Sequence, residues 1–347
     1  MAQEVHLGWG YNAAMAIHCI CLPPGVALLS LLLFLTGCQT PWLATNGSAV
    51  VHRLASSLEI GVVALRDDLG ESASARLEEL PGLLDYAARR GLNVGHAYRR
   101  VDQVAGPASW IVAAADPATV TLYRWRFPIV GSVPYKGYRF QHHAIREQKN
   151  LVEAGWDADV FPVPAWSSLG WFPEPLPRSL LSLEEHRFAT TIFHELVHRT
   201  VHIPGDAELN EGLATFLGAQ LAEQWLIGRH GEGSAVVMRH RSQQRDELRL
   251  NELIRTLREQ LTGGEVEGQL EQFRLLLATE PWEQFSAEEL ARGGWSLPRV
   301  LLARVYDPSS VPWDRIWQES AQDVQILVTW VRRHFSGTGA DGGSLER

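Results

Sequence analysis

His194-Glu195-Leu196-Val197-His198 sets two histidines four residues apart, with a glutamate directly after the first. Helical patterning surrounds the motif from Glu184 through His202, and Pro204-Gly205 breaks it. Four residues advance a helix by about 400°, so both imidazoles lie on one face, a turn apart. That separation suits two nitrogens reaching one tetrahedral zinc at about 2.0–2.1 Å. Glu195 stands beside this face, where its carboxylate can take a proton from water activated at a metal. Ala189, Ile192, Phe193, Leu196 and Val197 can pack the helix inward, so the motif need not be exposed. A purely structural use of the same letters would bury three polar side chains, each needing its own hydrogen bonds. That is the weaker reading.

A catalytic zinc of this type takes one more protein ligand and keeps an open position for water. The metzincin pattern requires glycine at position 201 and histidine at position 204, but the chain has Val201 and Pro204. His202 lies eight residues beyond His194, about 80° around the helix, which turns it off the ligand face. Glu211 is the favoured third ligand, with Asp206 and Glu208 as weaker competitors. Glu208 is better placed to stabilise the start of a second helix. The segment Asn210-Glu211-Gly212-Leu213-Ala214-Thr215 resembles the N-E-x-x-A/S-D/T arrangement of the gluzincins, in which a return helix presents the glutamate. The Pro204-Gly205 break allows the chain to reverse, although the gap to Glu211 is shorter than in thermolysin-like enzymes. Asn210 and Thr215 are expected to support the ligands from behind.

The rest of the chain predicts an α+β fold, mostly helical, with a small sheet beside the motif helix. Helical spacing runs over 50–65, and over 74–90 with a break expected at 78–82. SWIVAAA and TVTLYRWRF read as a hairpin turned at Asp116-Pro117, 131–137 as a loop, and 141–154 as a helix. DVFPVPA at 159–165 reads as a strand whose prolines place it at an edge or bulge. Helices are expected from Asp206 to about Ile227, over 238–261 and over 320–333.

The N-terminus carries a different signal. Gly25 to Thr36 is a twelve-residue apolar run, short of the roughly 20 residues that span a bilayer. It fits the apolar region of a secretory signal, and Leu35-Thr36-Gly37-Cys38 resembles the bacterial lipobox. Residues 1–52 contain no Lys or Arg, which departs from the positive start such signals normally have. Cys19 and Cys21 fall inside the segment to be removed, which leaves Cys38 as a lone lipidation site. Gln39 rather than Asp after it favours an outer-membrane anchor facing the periplasm. The expected organisation is a signal peptide over 1–37, a tether over 38–49, and one zincin-like peptidase domain over 50–336 with its core near 108–230. A tail follows over 337–347. The net charge of −9 is spread along the chain and offers no basic footprint for nucleic acid. No feature fixes an oligomeric state.

Three stretches carry a wider resemblance: RWRFPIVGSVPYKGY at 124–138, PAWSSLGWFPEPL at 164–176 and FHELVHRTVHIPGDAELNEGLATFLG at 193–218. Through them the chain resembles bacterial zinc aminopeptidases that are themselves similar to gluzincins. The resemblance covers most of the chain up to Gly218 and fades beyond it. It implies one zinc held by His194, His198 and Glu211, Glu195 as the catalytic base, and a peptide substrate. In zincins the strand before the active helix lines the cleft, which makes Trp166, Ser167, Ser168, Leu169 and Gly170 cleft candidates. Tyr135 and Tyr138 are candidates for polarising the scissile carbonyl, as are His142 and His143. An endopeptidase or cell-wall amidase is the rival within the enzyme class. A catalytically silent envelope lipoprotein with a binding or scaffold role is the rival outside it.

Overall fold

The computed structural model describes residues 52–335 except 67–68, 105, 128–130, 164–173 and 204. Expectations for the signal peptide, Cys38, the tether, the five cleft candidates at 166–170 and the tail lie outside these residues.

Residues 52–56 are helical, and after them come β1 (Leu58–Glu59), α1 (Ile60–Ala64) and α2 (Glu71–Arg89). The helix expected over 50–65 is therefore interrupted, because Leu58 and Glu59 pair antiparallel with Val101 and Arg100 of β2 (Arg100–Val101). Helix α2, in contrast, runs straight through Pro81, where the sequence predicts a break. Proline removes one backbone donor. Leu77, Leu80 and Leu83 on either side of it are buried in the main core, and that packing carries the helix across.

Strand β3 (Ser109–Asp116) is the centre of a four-stranded sheet. One edge pairs with β4 (Thr121–Leu122), so the expected hairpin forms with a second arm of two residues, and the stretch expected to carry that arm on to Phe127 leaves β3. Beyond it come β5 (Trp125–Phe127), β6 (Gly131–Val133) and β7 (Tyr135–Tyr138). β5 and β6 form their own ribbon, and β7 returns to β3, so 131–137 is largely strand rather than the expected loop. Its Gly and Pro letters signal a turn, but β6 pairs with the neighbouring β5 and β7 with the distant β3. Helix α3 (Gln141–Glu153) falls where expected, and β8 (Asp157–Val163) pairs along the other side of β3. β8 carries Pro162, which suits its place at the sheet's edge.

Alternation along β3 sends Val112 and Ala114 to one face and Ile111 and Ala113 to the other. The first pair packs with Ala144 and Leu151 of α3; the second packs with Phe161, Leu302 and Val305.

The motif lies in α4 (Glu185–Thr200), followed by α5 (Ala207–His230). Between them Gly205 holds φ +83°, a left-handed conformation that favours glycine and helps the chain double back. Phe188, Ala189, Ile192, Phe193 and Leu196 are fully buried against α2 and against Leu213, Leu217 and Leu221 of α5. At about 1.5–3 kcal/mol for each large apolar side chain, this packing outweighs the modest helical propensity of a stretch with β-branched and aromatic residues.

The C-terminal part comprises α6 (Ala235–Gln260), α7 (Val266–Thr279), α8 (Ala287–Arg292), α9 (Leu297–Leu302), α10 (Trp313–Glu319) and α11 (Val324–Phe335). α6 to α9 share a second core, whereas α10 and α11 return to the first. Among the described residues no helix is long and apolar enough to cross a membrane.

Candidate metal centre

His194 and His198 project from adjacent turns of α4, and their Nε2 atoms lie 3.1 Å apart. Oε2 of Glu211, from the second turn of α5, is 3.3 Å from His194 Nε2 and 3.4 Å from His198 Nε2. Oε2 meets neither ring in hydrogen-bond alignment. A tetrahedron with bonds of about 2.0–2.1 Å has edges of about 3.3–3.4 Å. The three donor atoms thus form nearly one triangular face of such a tetrahedron, and two imidazoles with one carboxylate are a donor set for a divalent transition metal. All three side chains are buried, and among the described residues they are the group able to hold a metal ion.

Two features of α5 bring Glu211 home across the short connection. Asn210 closes the reversal: its Oδ1 accepts from Ile203 N–H at 2.8 Å, and its Nδ2 donates to Ile203 O at 2.7 Å and Asp206 O at 2.6 Å. Asn210 therefore supports the site by fixing the loop that aims the next residue. Gly218, two turns further, lets the helices touch. A Cβ there would lie 3.0 Å from His194 N and 3.1 Å from its Cα, tighter than ordinary contact. Sequence reading passed over Gly218, since a lone glycine in a helix has no marked meaning without its neighbour.

The competitors are occupied elsewhere. Asp206 caps α5 by accepting from Leu209 N–H at 2.9 Å, and Glu208 accepts from Arg304 at the surface. His202 falls beyond the end of α4 and outside the cluster. Thr215 is half-buried on α5, and it does not supply the hydrogen bond expected for His198, whose buried Nδ1 has no partner.

The electrostatics follow from burial and proximity. Burial works to raise Glu211, but His198 and His194 beside it hold its carboxyl below the ordinary value. Burial holds His194 below its ordinary value. It works the same way on His198, where the Glu211 carboxylate, with Glu195 and Glu174 further off, overrides it and raises the ring. An ionised carboxylate is the form that ligates metal. Glu195 is fully buried next in sequence to His194.

The two tyrosine candidates separate. Tyr135 is half-buried, and burial together with the nearby Glu211 carboxylate pushes its hydroxyl upward. Tyr138, three residues on, packs on the opposite face of the sheet under α3, close to Glu147. An odd spacing along a strand sends side chains to opposite faces, so only Tyr135 reaches the cluster. His142 and His143 belong to α3, where His142 stacks on exposed Phe140 and His143 meets it edge-on.

Sequence reading also missed a buried ion pair at the end of α4. Arg199, directly after His198, meets Glu174 at 2.6 Å.

A family model described as "Putative aminopeptidase" matches residues 44–266, well over half of the chain and all of the residues in the cluster. None of the curated proteins and none of the solved structures compared matches the chain.

Proposed function

The chain belongs to the Aminopep family, and from that premise we propose that it is a zinc-dependent peptidase, an aminopeptidase, with its metal on His194, His198 and Glu211. The observation that carries this reading is the convergence of two imidazoles and a carboxylate with spacings of 3.1, 3.3 and 3.4 Å. A zinc ion held there would act as a Lewis acid and lower the pKa of coordinated water. Glu195 is the general base: its carboxylate accepts a proton from the attacking water and returns it to the leaving amine. Burial in α4 keeps that carboxylate beside the ligand face, in a region of low dielectric where its charge acts strongly. Tyr135, standing by Glu211, is the better placed of the two tyrosines to donate to the scissile carbonyl oxygen.

The reading extends to a gluzincin-type use of the Asn210–Thr215 segment, a zincin-like core, and a chain anchored through Cys38 in the outer membrane. The resemblance of the sequence to those motifs supports each of these. Preference for a free N-terminus rests on the family description.

The test is Glu195→Gln, with zinc content and hydrolysis measured on free and N-blocked peptides. The expected result is retained zinc with turnover reduced by about 10²–10⁴-fold, the range a positioned general base supplies. Undiminished turnover refutes the assignment of the base. Equal cleavage of blocked peptides favours an endopeptidase or amidase, and a wild-type chain with zinc but no hydrolysis favours a binding lipoprotein.

A further inference from the structure

The net charge of −9 conceals one stretch of the opposite sign. Between Asp116 and Glu153 the chain carries Arg124, Arg126, Lys136, Arg139, Arg146 and Lys149 against a single acid, Glu147. The fold turns that acid inward. Glu147 Oε1 accepts from Trp125 Nε1 at 3.0 Å and from Lys136 Nζ at 3.3 Å, on the side of α3 that packs on the sheet through buried Ala144 and Leu151.

The other side of α3 is basic and apolar at once. His142, Ile145, Arg146, Lys149 and Val152 follow at helical spacing before Glu153 ends the helix, and all are exposed. Phe140, directly before the helix, is 43% exposed, with the His142 ring stacked on it and the Arg139 guanidinium 5.8 Å from its centre. On the C-terminal helices exposed arginines meet acids: Arg245 meets Glu283 at 2.6 Å and Arg249 meets Glu280 at 2.5 Å. Among the described residues neither Arg146 nor Lys149 makes an ion pair. A single exposed apolar side chain needs no explanation. Exposed apolar groups, an aromatic ring and cations without acidic partners on one helix face are the pattern of an element lying in the interface of an anionic bilayer.

The position of this face suits such a partner. Strand β7 leaves the sheet after Tyr138, which lies opposite Trp110 near the start of β3, and Phe140 follows. Arg53 is held at the same end: its Nε meets Asp102 Oδ2 at 2.8 Å, and its Nη2 donates to Pro107 O at 3.2 Å, just before β3 begins. Residues 1–51, with the apolar run Gly25–Thr36, therefore join the described fold at the end of the sheet where Phe140 lies. α3 covers the sheet face opposite the one that carries Tyr135, so a surface pressed against α3 does not cover the metal cluster.

We propose that the outward face of α3, led by Phe140, docks on the headgroup surface of an anionic phospholipid bilayer. Arg146 and Lys149 meet the lipid phosphates, while Phe140, Ile145 and Val152 reach the boundary of the acyl chains. This rests neither on the peptidase reading nor on a lipid at Cys38.

The chain has two lysines, Lys136 and Lys149, which makes Lys149 a probe of its own surroundings. The full chain is acetylated with a water-soluble reagent, alone, with phosphatidylcholine vesicles, and with vesicles in which about one third of the lipid is phosphatidylglycerol. Modification of Lys149 is followed by peptide mass spectrometry. Phosphatidylglycerol should protect Lys149 and phosphatidylcholine should not, and protection should weaken in about 1 M salt, where the screening length falls to about 3 Å. The phosphatidylcholine arm controls for the apolar N-terminal run, which can enter either bilayer without covering Lys149. In Phe140→Ser/Arg146→Gln the lipid concentration for half-protection should rise at least about fivefold, the equivalent of about 1 kcal/mol for one basic side chain at an anionic surface. Both positions are exposed, so an unchanged unfolding midpoint is the control for folding; if the double variant does not fold, Arg146→Gln alone decides on the same readout. Equal modification of Lys149 in the two kinds of vesicle, or half-protection of the variant at the wild-type lipid concentration, overturns the proposal. Stronger protection by a single-stranded oligonucleotide than by phosphatidylglycerol also overturns it and assigns the face to nucleic acid.

Discussion

Replacing Gly218 with alanine puts a methyl group between the two helices that carry the cluster. The added Cβ would sit 3.0 Å from His194 N, where ordinary contact begins at 3.4 Å. The facing atoms are backbone in the middle of α4 and cannot swing aside, so α5 must withdraw by about 0.4 Å, the difference of those distances. Overpacking of this kind costs about 1–3 kcal/mol. Alanine for glycine inside a helix returns about 1 kcal/mol. The net expectation is a loss of about 0–2 kcal/mol in metal-free stability, a modest effect. The effect on metal is larger. Glu211 lies two turns before Gly218, about 10 Å along the same helix, and moves with it. Ligand distances tolerate only about ±0.2 Å, so zinc affinity should fall about tenfold or more, about 1.4 kcal/mol. Denaturant unfolding of the metal-free chain and chelator competition read the two quantities separately. A Gly218→Ala chain that is more stable by about 1 kcal/mol and binds zinc like wild type would refute the argument that this contact sets the ligand geometry.

Asn210→Ala deletes three hydrogen bonds that close the turn before Glu211. With a net worth of about 1 kcal/mol each, it should lower stability by about 2–3 kcal/mol in chemical denaturation, with zinc binding weakened in parallel. Burial pushes Glu79 up to about 8, with the partner Arg76 opposing and Glu185 reinforcing the shift. Its folded pKa is raised, so its contribution is fully present below about 4.5, the unfolded value, and is lost as pH rises toward 8. His240, lowered by burial to about 4, acts in the opposite sense and only between pH 6.5 and 4. Thermal melts of the metal-free chain should therefore show stability falling from pH 6.5 to 8, and Glu79→Gln should flatten that limb. A limb unchanged in the variant would assign it to other groups.

The parts of the fold that announce themselves in sequence are those with local periodicity. The motif helix, its break, the return helix, β3 and α3 all carry it, and each falls within a few residues of expectation, whereas the expected second arm of the hairpin to Phe127 is cut short at Leu122. Pro81 misleads because buried leucines on both sides outvote it. β7 is missed because its strand character comes from pairing with β3, more than 20 residues upstream, and β6 because its Gly-Ser-Val letters read as a loop although they pair with the adjacent β5. In the cluster, i and i+4 spacing makes the histidines legible, and the resemblance of the Asn210–Thr215 segment to the gluzincin arrangement singles out Glu211 from Asp206 and Glu208. The supports are not: Gly218 matters through contact with His194, and Glu174 with Arg199 through a pairing across 25 positions that no period marks. Thr215 illustrates the converse, a residue at a familiar spacing whose side chain leaves His198 Nδ1 unpartnered.

Zinc content of the purified chain, wild type beside Glu211→Ala, tests the central claim most directly. One zinc per wild-type chain, lost or greatly weakened when the Glu211 carboxylate is removed, is what the convergence of α4 and α5 predicts. A wild-type chain that stays metal-free after equilibration with zinc, or a Glu211→Ala chain that keeps a full equivalent with equal affinity, would contradict it.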